Sequence, residues 1–158
     1  MNKLSFLVVL LIVFTAFGCD SSTPTDANVQ ISFPEGIIVF DYSNTPTIKV
    51  DRAKIESVSV RADMLTLWVA YGGGCQKHEF KLFGSSNFLE SYPAQADVFL
   101  SHDANNDLCK AYIRDSVRFD LTPLKKTYQS FYGTRGPIRL RIHEPGKQEP
   151  FLPLVYDF

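Results

Sequence analysis

The sequence predicts an all-β protein: an antiparallel β-sandwich of immunoglobulin-like topology, with at most one short helix and a small β-barrel as the alternative. Three observations predict it. Short segments of alternating or continuous apolar residues recur along the chain, separated at close intervals by Gly, Pro, Asn, Asp and Ser. Phe (13) and Tyr (7) are abundant and Met (2) is scarce, a mix that favours strands. The 158 residues are 45% hydrophobic, enough for one domain with a core and too apolar for bulk disorder. A formal net charge of −1 offers no basic field, so no nucleic-acid partner is expected.

At the N-terminus Lys3 precedes a nearly unbroken apolar run of 14 residues (4–17). That is short for a bilayer span and suits a secretory signal. The run ends in Ala16-Phe17-Gly18-Cys19. A small residue directly before a cysteine resembles the lipobox of bacterial lipoproteins, with Ala16 where that family usually has Leu. The resemblance implies cleavage before Cys19, lipidation (palmitate among the acyl chains) of Cys19, and a place on a membrane of the bacterial cell envelope, facing the periplasm or the exterior. The chain then divides into a signal peptide (1–18), a lipid-anchored tether (19–28) and one β domain (29–158). Residues 20–28 hold no large apolar side chain and read as a flexible tether. The first expected partner is therefore the membrane, through the N-terminal lipid.

Within the domain, residues 29–33 alternate and are stopped by Pro34. Residues 37–41 are continuously apolar up to Asp41, as in a strand covered on both faces. Residues 43–46 form a turn, and 47–51 a short edge strand. Residues 54–61 alternate and lead through Ala62-Asp63 into 64–71. There Leu65, Leu67, Val69 and Tyr71 share one face while Met64, Trp68 and Ala70 share the other. Both faces are apolar, which predicts a central strand. Three glycines (72–74) then make a tight corner, followed by a strand with His78, Phe80 and Leu82 on one face. Residues 97–102 place Val98, Leu100 and His102 together. Residues 103–107 read as a hairpin-like turn, after which Cys109, Ala111 and Ile113 share a face. Thr122-Pro123 looks like a helix cap with Pro at the first position, and the helix stops at Gly133. Strands at 137–142 and 152–158 close the domain.

Four residues in this pattern should meet. His78 begins a strand, His102 ends a later one and Cys109 begins the next. If these run antiparallel in succession, all three lie at one rim, and Cys75 sits three positions before His78 in the glycine corner. Two cysteines remain once Cys19 is acylated, and the compartment is oxidising, so a Cys75–Cys109 disulfide is expected. The competing reading is a zinc site of Cys75, His78, His102 and Cys109, since two thiolates and two imidazoles make a tetrahedral set. A third reading is a reactive Cys75 thiol activated by His78.

Other chemistry finds little support. Asp103, Asn105 and Asp107 match the first positions of a calcium loop, but its sixth position is Leu108 and its twelfth Arg114. His143 sits in His-Glu-Pro-Gly at a strand end, where a turn explains the motif. Gly-x-Ser-x-Gly, His-Glu-x-x-His and phosphate-loop patterns are absent, so no enzyme and no cofactor are expected. Tyr128, Phe131, Tyr132 and Arg135 form a candidate patch for an envelope protein or glycan, or else cover the sandwich end. The pairing of Gly73-Gly74-Cys75-x2-His78 with the run from Phe119 to Leu124 is similar to an arrangement in uncharacterised bacterial lipoproteins, and it carries no function with it. The expectation is a membrane-anchored binding or assembly-support module.

Overall fold

The computed structural model describes residues 34–158. The signal peptide, the tether and the strand expected at 29–33 lie outside the described residues. Among the described residues nine strands and one α-helix follow in order, with one short 3-10 turn (Tyr42–Asn44) after β2: β1 (Glu35–Gly36), β2 (Ile38–Phe40), β3 (Ala53–Arg61), β4 (Met64–Gly73), β5 (Glu79–Ser85), β6 (Ala94–Asp103), β7 (Ala111–Asp120), α1 (Thr122–Tyr132), β8 (Ile138–His143) and β9 (Pro150–Tyr156). They form two sheets, β1-β7-β4-β3 and β2-β5-β6-β8-β9. The protein is an all-β sandwich, and neither sheet closes into a barrel.

The alternation in the sequence becomes the core. Leu65, Leu67 and Val69 of β4 are fully buried, as are Leu82 of β5, Val98 and Leu100 of β6, and Leu140 and Ile142 of β8. Each such side chain contributes about 1.5–3 kcal/mol on leaving water. β4 is central, paired antiparallel with β3 on one side and β7 on the other.

The sheets are mixed rather than wholly antiparallel. β1 runs parallel to β7, β2 to β5 and β6 to β8. The last pair departs from an immunoglobulin arrangement. After β6 the chain crosses to the other sheet as β7 and returns through α1, so β8 arrives beside β6 in the same direction. The stretch at 47–51 contributes a single bridge, Val50 to His102, instead of a strand.

α1 begins one residue earlier than a Thr122 cap would have it. Leu121 occupies the N-cap with no side-chain bond, and Thr122 is tied back to Asp120 instead. The helix ends where expected: Gly133 adopts φ 63°, and its N–H donates to the Gln129 carbonyl. Leu124 and Tyr128 are buried beneath α1, which closes one end of the sandwich. Among the described residues no helix is long and apolar enough to cross a membrane.

Candidate functional site: the disulfide rim

The opposite end is the rim formed by the ends of β4 and β6 and the starts of β5 and β7. Cys75 and Cys109 are joined there by a disulfide, with Cα atoms 5.9 Å apart. The four residues expected to meet do meet, although not through a hairpin. β6 and β7 belong to different sheets, so residues 104–110 bridge the sandwich, with Asn105 and Asn106 at positive φ. Cys109 lies in this bridge, before β7 begins.

Asp107, expected in a turn and matched to a calcium-loop position, instead organises the rim. Its Oδ2 accepts from the backbone N–H of Gly74, Cys75 and Gln76, each at 2.8 Å. Its Oδ1 accepts from the N–H of Cys109 at 2.8 Å. The amides of Gln76 and Cys109 contribute most to holding this carboxyl well below the usual carboxylate range. One carboxylate therefore clamps both sides of the disulfide. The detectable signal was an Asp two residues before a cysteine, where a short side chain can cap the following amide.

The histidines form a chain behind the disulfide. The Nδ1–H of His102 donates to the Asp51 carbonyl at 3.1 Å. A carbonyl only accepts, so Nε2 of His102 carries the lone pair and accepts from Nδ1–H of His78 at 2.8 Å. Nε2 of His78 then faces Asp107 Oδ2 at 3.3 Å, with both side chains almost wholly buried. Burial pushes the His102 imidazole down, against the opposing effect of its bond to Asp51. Tyr71 and Phe80 pack on these rings, Phe80 stacking on His102 at 4.4 Å.

Glycine is required at the corner. Gly73 has φ 154°, and a Cβ there would lie 2.5 Å from Nε2 of His78 and 3.0 Å from Asp107 Oδ2. The histidine chain thus occupies the space that a side chain at 73 would fill.

The zinc set is assembled but differently employed. Both sulfurs are bonded to each other, leaving no thiolates, and the two imidazoles are hydrogen-bonded to each other. The Asp107 carboxylate joins the two sulfurs within 4.8 Å, but as an acceptor of four amides. Zinc would need the disulfide opened. The same bond occupies the sulfur that the reactive-thiol reading needs. Asp103 likewise serves as a turn cap, accepting from the Asn105 amide at 2.9 Å, and the Asn105 side chain donates to the Lys77 carbonyl.

Beside the rim lies an open cavity of about 770 Å³, lined in part by Arg52, Lys54, Tyr71, Leu108, Tyr112 and Lys147. Leu108 is 90% exposed and Tyr112 67%. Arg52 and Lys54 are exposed and have no carboxylate partner among the described residues. Asp51 and Asp107, the acidic lining residues, accept backbone amides.

Two other expectations resolve away from the rim. His143 ends β8, as expected, and the turn follows at Pro145-Gly146. Buried on the outer face of its sheet, His143 donates from Nε2–H to Asp97 at 2.8 Å and stacks on Phe99 at 4.7 Å. The patch of Tyr128, Phe131, Tyr132 and Arg135 divides: Tyr128 is buried in the core, while the other three are exposed at the far end.

No family model matches the chain, and no curated protein does. Its fold is similar to that of a protein of unknown function, DUF1344, from Bacteroides vulgatus (TM-score 0.51, 15% identity, covering 79% of this chain and 57% of that one). It is equally similar to a NigD-like immunity protein from Bacteroides caccae (TM-score 0.51, 15% identity, 77% of this chain and 59% of that one). A Bacteroides fragilis protein provisionally assigned as a lipoprotein scores 0.52 at 11% identity, over 78% of this chain and 68% of that one. The chain thus spans under two thirds of the first two neighbours. At these identities the likeness is one of fold alone: an all-β domain.

Proposed function

We propose that the protein is a lipid-anchored envelope module that binds an acidic segment of an envelope protein or glycan at its disulfide rim, without chemistry on the ligand. The observation that carries this is the cavity beside the rim. Its polar side carries three cations, Arg52, Lys54 and Lys147, against the two carboxylates of Asp51 and Asp107, and Arg52 and Lys54 have no carboxylate partner among the described residues. Its apolar side is Leu108 and Tyr112, held in water by a covalently closed and hydrogen-bonded loop. A preorganised wall lowers the ordering cost of binding. Anchoring rests on the Cys19 motif, and one fold neighbour provisionally assigned as a lipoprotein supports that setting. The anchor places the domain at an envelope membrane, on its periplasmic or exterior side.

The test has two arms. Palmitate labelling of wild-type protein in its own cells should be lost in Cys19→Ser. A photo-crosslinker at Leu108 should give one discrete adduct, weakened by Arg52→Glu/Lys54→Glu, whereas the same probe at Trp68, exposed in the middle of β4, should not. Equal adducts at both positions would contradict the rim as the binding end.

A further inference from the structure

Gly72 lies within β4, ahead of the corner, and the fold gives no reason for a glycine there. Gly73 and Gly74 adopt positive φ, whereas Gly72 does not. A Cβ at Gly73 would strike His78, but a Cβ at Gly72 would meet no atom within 4 Å. Glycine inside a strand costs conformational entropy and packs nothing, so it belongs where another backbone or a ligand comes close. No backbone does so at Gly72. The residue is exposed on the outer face of its sheet and lines the rim cavity.

The wall beside this gap is a held aromatic ring. Tyr112 stands directly across from Gly72 on β7. Its hydroxyl donates to Glu56 Oε1 at 3.3 Å, and the same oxygen accepts from Arg114 Nε at 3.1 Å. Glu56 belongs to β3, on the far side of β4, so the Tyr112 side chain reaches across β4. The Arg114 guanidinium lies 5.5 Å from the ring centroid. Arg114 follows Tyr112 along β7, away from the rim, and it does not line the cavity as Tyr112 does. One ring face is therefore backed by Arg114 and the other looks into the cavity, beside a floor of Gly72 and Ala70. Lys54 stands directly across from Ala70 on β3, with Arg52 shortly before it.

The backbone around the gap is already spent. β4 is paired on both sides, Ala70 with Lys54 and with Arg114, so it offers an extended peptide no ladder to join. In the bridging loop the amides of Ala104, Asn105, Asp107 and Cys109 all donate within the rim. What remains for a ligand is a flat floor, a ring face and cations. A pyranose lays its apolar face on such a ring, and a carboxylate on that sugar meets the guanidinium and ammonium groups. The volume of about 770 Å³ lies within the range of ordinary ligand pockets.

We propose that Gly72 and Tyr112 form a stacking slot for one uronate ring of an acidic glycan, with its carboxylate on Arg52 and Lys54. This rests on the rim-binding reading above and narrows its ligand to a carboxylated sugar. Gly72 determines specificity, because any side chain there takes the place of the ring.

The experiment is calorimetry on full-length protein in detergent micelles. The probes are tri-galacturonate and tri-mannuronate, with maltotriose as rings without carboxylates and an end-blocked tri-glutamate peptide as carboxylates without rings. At least one uronate should bind ten-fold or more tighter than both controls, and more weakly as salt is added. Gly72→Val should leave the thermal midpoint unchanged or higher and weaken uronate binding at least ten-fold. Gly72→Ser repeats the test with a smaller group should valine disturb the strand. Tyr112→Leu should weaken binding as much, and Tyr112→Phe, which keeps the ring, should weaken it less. Unchanged binding in both Gly72 variants, or no binding of either uronate at millimolar concentration, overturns the slot. Tighter binding of tri-glutamate that survives Gly72→Val also overturns it, and assigns the rim to an acidic peptide. The photo-adduct at Leu108 separates the two failures: retained without uronate binding, it leaves the rim reading intact, and absent as well, it removes both.

Discussion

At the rim, Tyr71, His78, Phe80 and His102 stack inward behind a disulfide. At the α1 end, Phe131 and Tyr132 project outward from a buried Tyr128. Both ends are aromatic, yet the rim rings sit among hydrogen bonds and a clamped carboxylate, while the α1 rings meet solvent. The rim is closed by long-range links: 34 residues separate the two cysteines, and Asp107 reaches back 31 to 33 residues to the corner amides. The α1 end is held by local helix geometry and packing. A surface closed by distant links holds its shape, whereas the rings on the short helix are held only by their neighbours.

The largest expected effect breaks the rim. Replacing both cysteines, Cys75→Ser with Cys109→Ser, should cost about 3–4 kcal/mol in denaturant unfolding, from the loop entropy returned to the unfolded chain. A loss below 1 kcal/mol would mean that the amide clamp alone closes the corner. Glycines at the two ends sharpen the comparison. Gly73→Ala drives a methyl into the His78 ring and Asp107 at an unfavourable φ, and should cost about 2–4 kcal/mol. Gly133→Ala has a left-handed φ but open space around the new Cβ, and should cost about 1–2 kcal/mol. Equal losses would remove crowding as the reason for glycine at 73.

Acid should act on the rim in two steps. Burial lowers the His102 value in the folded state, so folding favours the neutral ring. Its contribution is complete above about pH 6.5 and declines as pH falls from there toward the folded value. The Asp107 value is depressed by backbone amides, so its contribution is complete above about pH 4 and declines as pH falls through the folded value. Unfolding midpoints between pH 7.5 and 5 should therefore drop in wild type and flatten in His102→Gln. At the α1 end Asp63 is depressed mainly by its bond to Lys125, and so joins only the second step. The smallest effect is expected from Phe131→Ser with Tyr132→Ser, within about 0.5 kcal/mol per site. A loss of 2 kcal/mol or more would make these rings part of the core.

Much of this was legible in the sequence. The alternation of Leu65, Leu67 and Val69, with an apolar opposite face, marked β4 as central. Gly133 marked the helix stop, and strand parity carried His78 and His102 to one rim with the cysteines. Alternation tells which face a residue takes, but not which strand lies beside it or in which direction. The parallel β6–β8 pair, and the crossing of residues 104–110 between sheets, were therefore hidden. β1 is two residues long, too short for any period to show. The clamping role of Asp107 escaped notice because its partners are backbone amides, which no side-chain pattern encodes. The candidate patch mixed two roles because Leu124 and Tyr128 lie four apart on the buried stripe of α1, whereas Phe131 and Tyr132 continue past it.

The rim as a covalently closed surface is tested most directly by intact-mass and peptide analysis of native protein from its envelope, without reductant. The account predicts a peptide pair joined through Cys75 and Cys109, a mass two hydrogens below the dithiol, and no bound zinc. Two free thiols with one zinc per chain would contradict it.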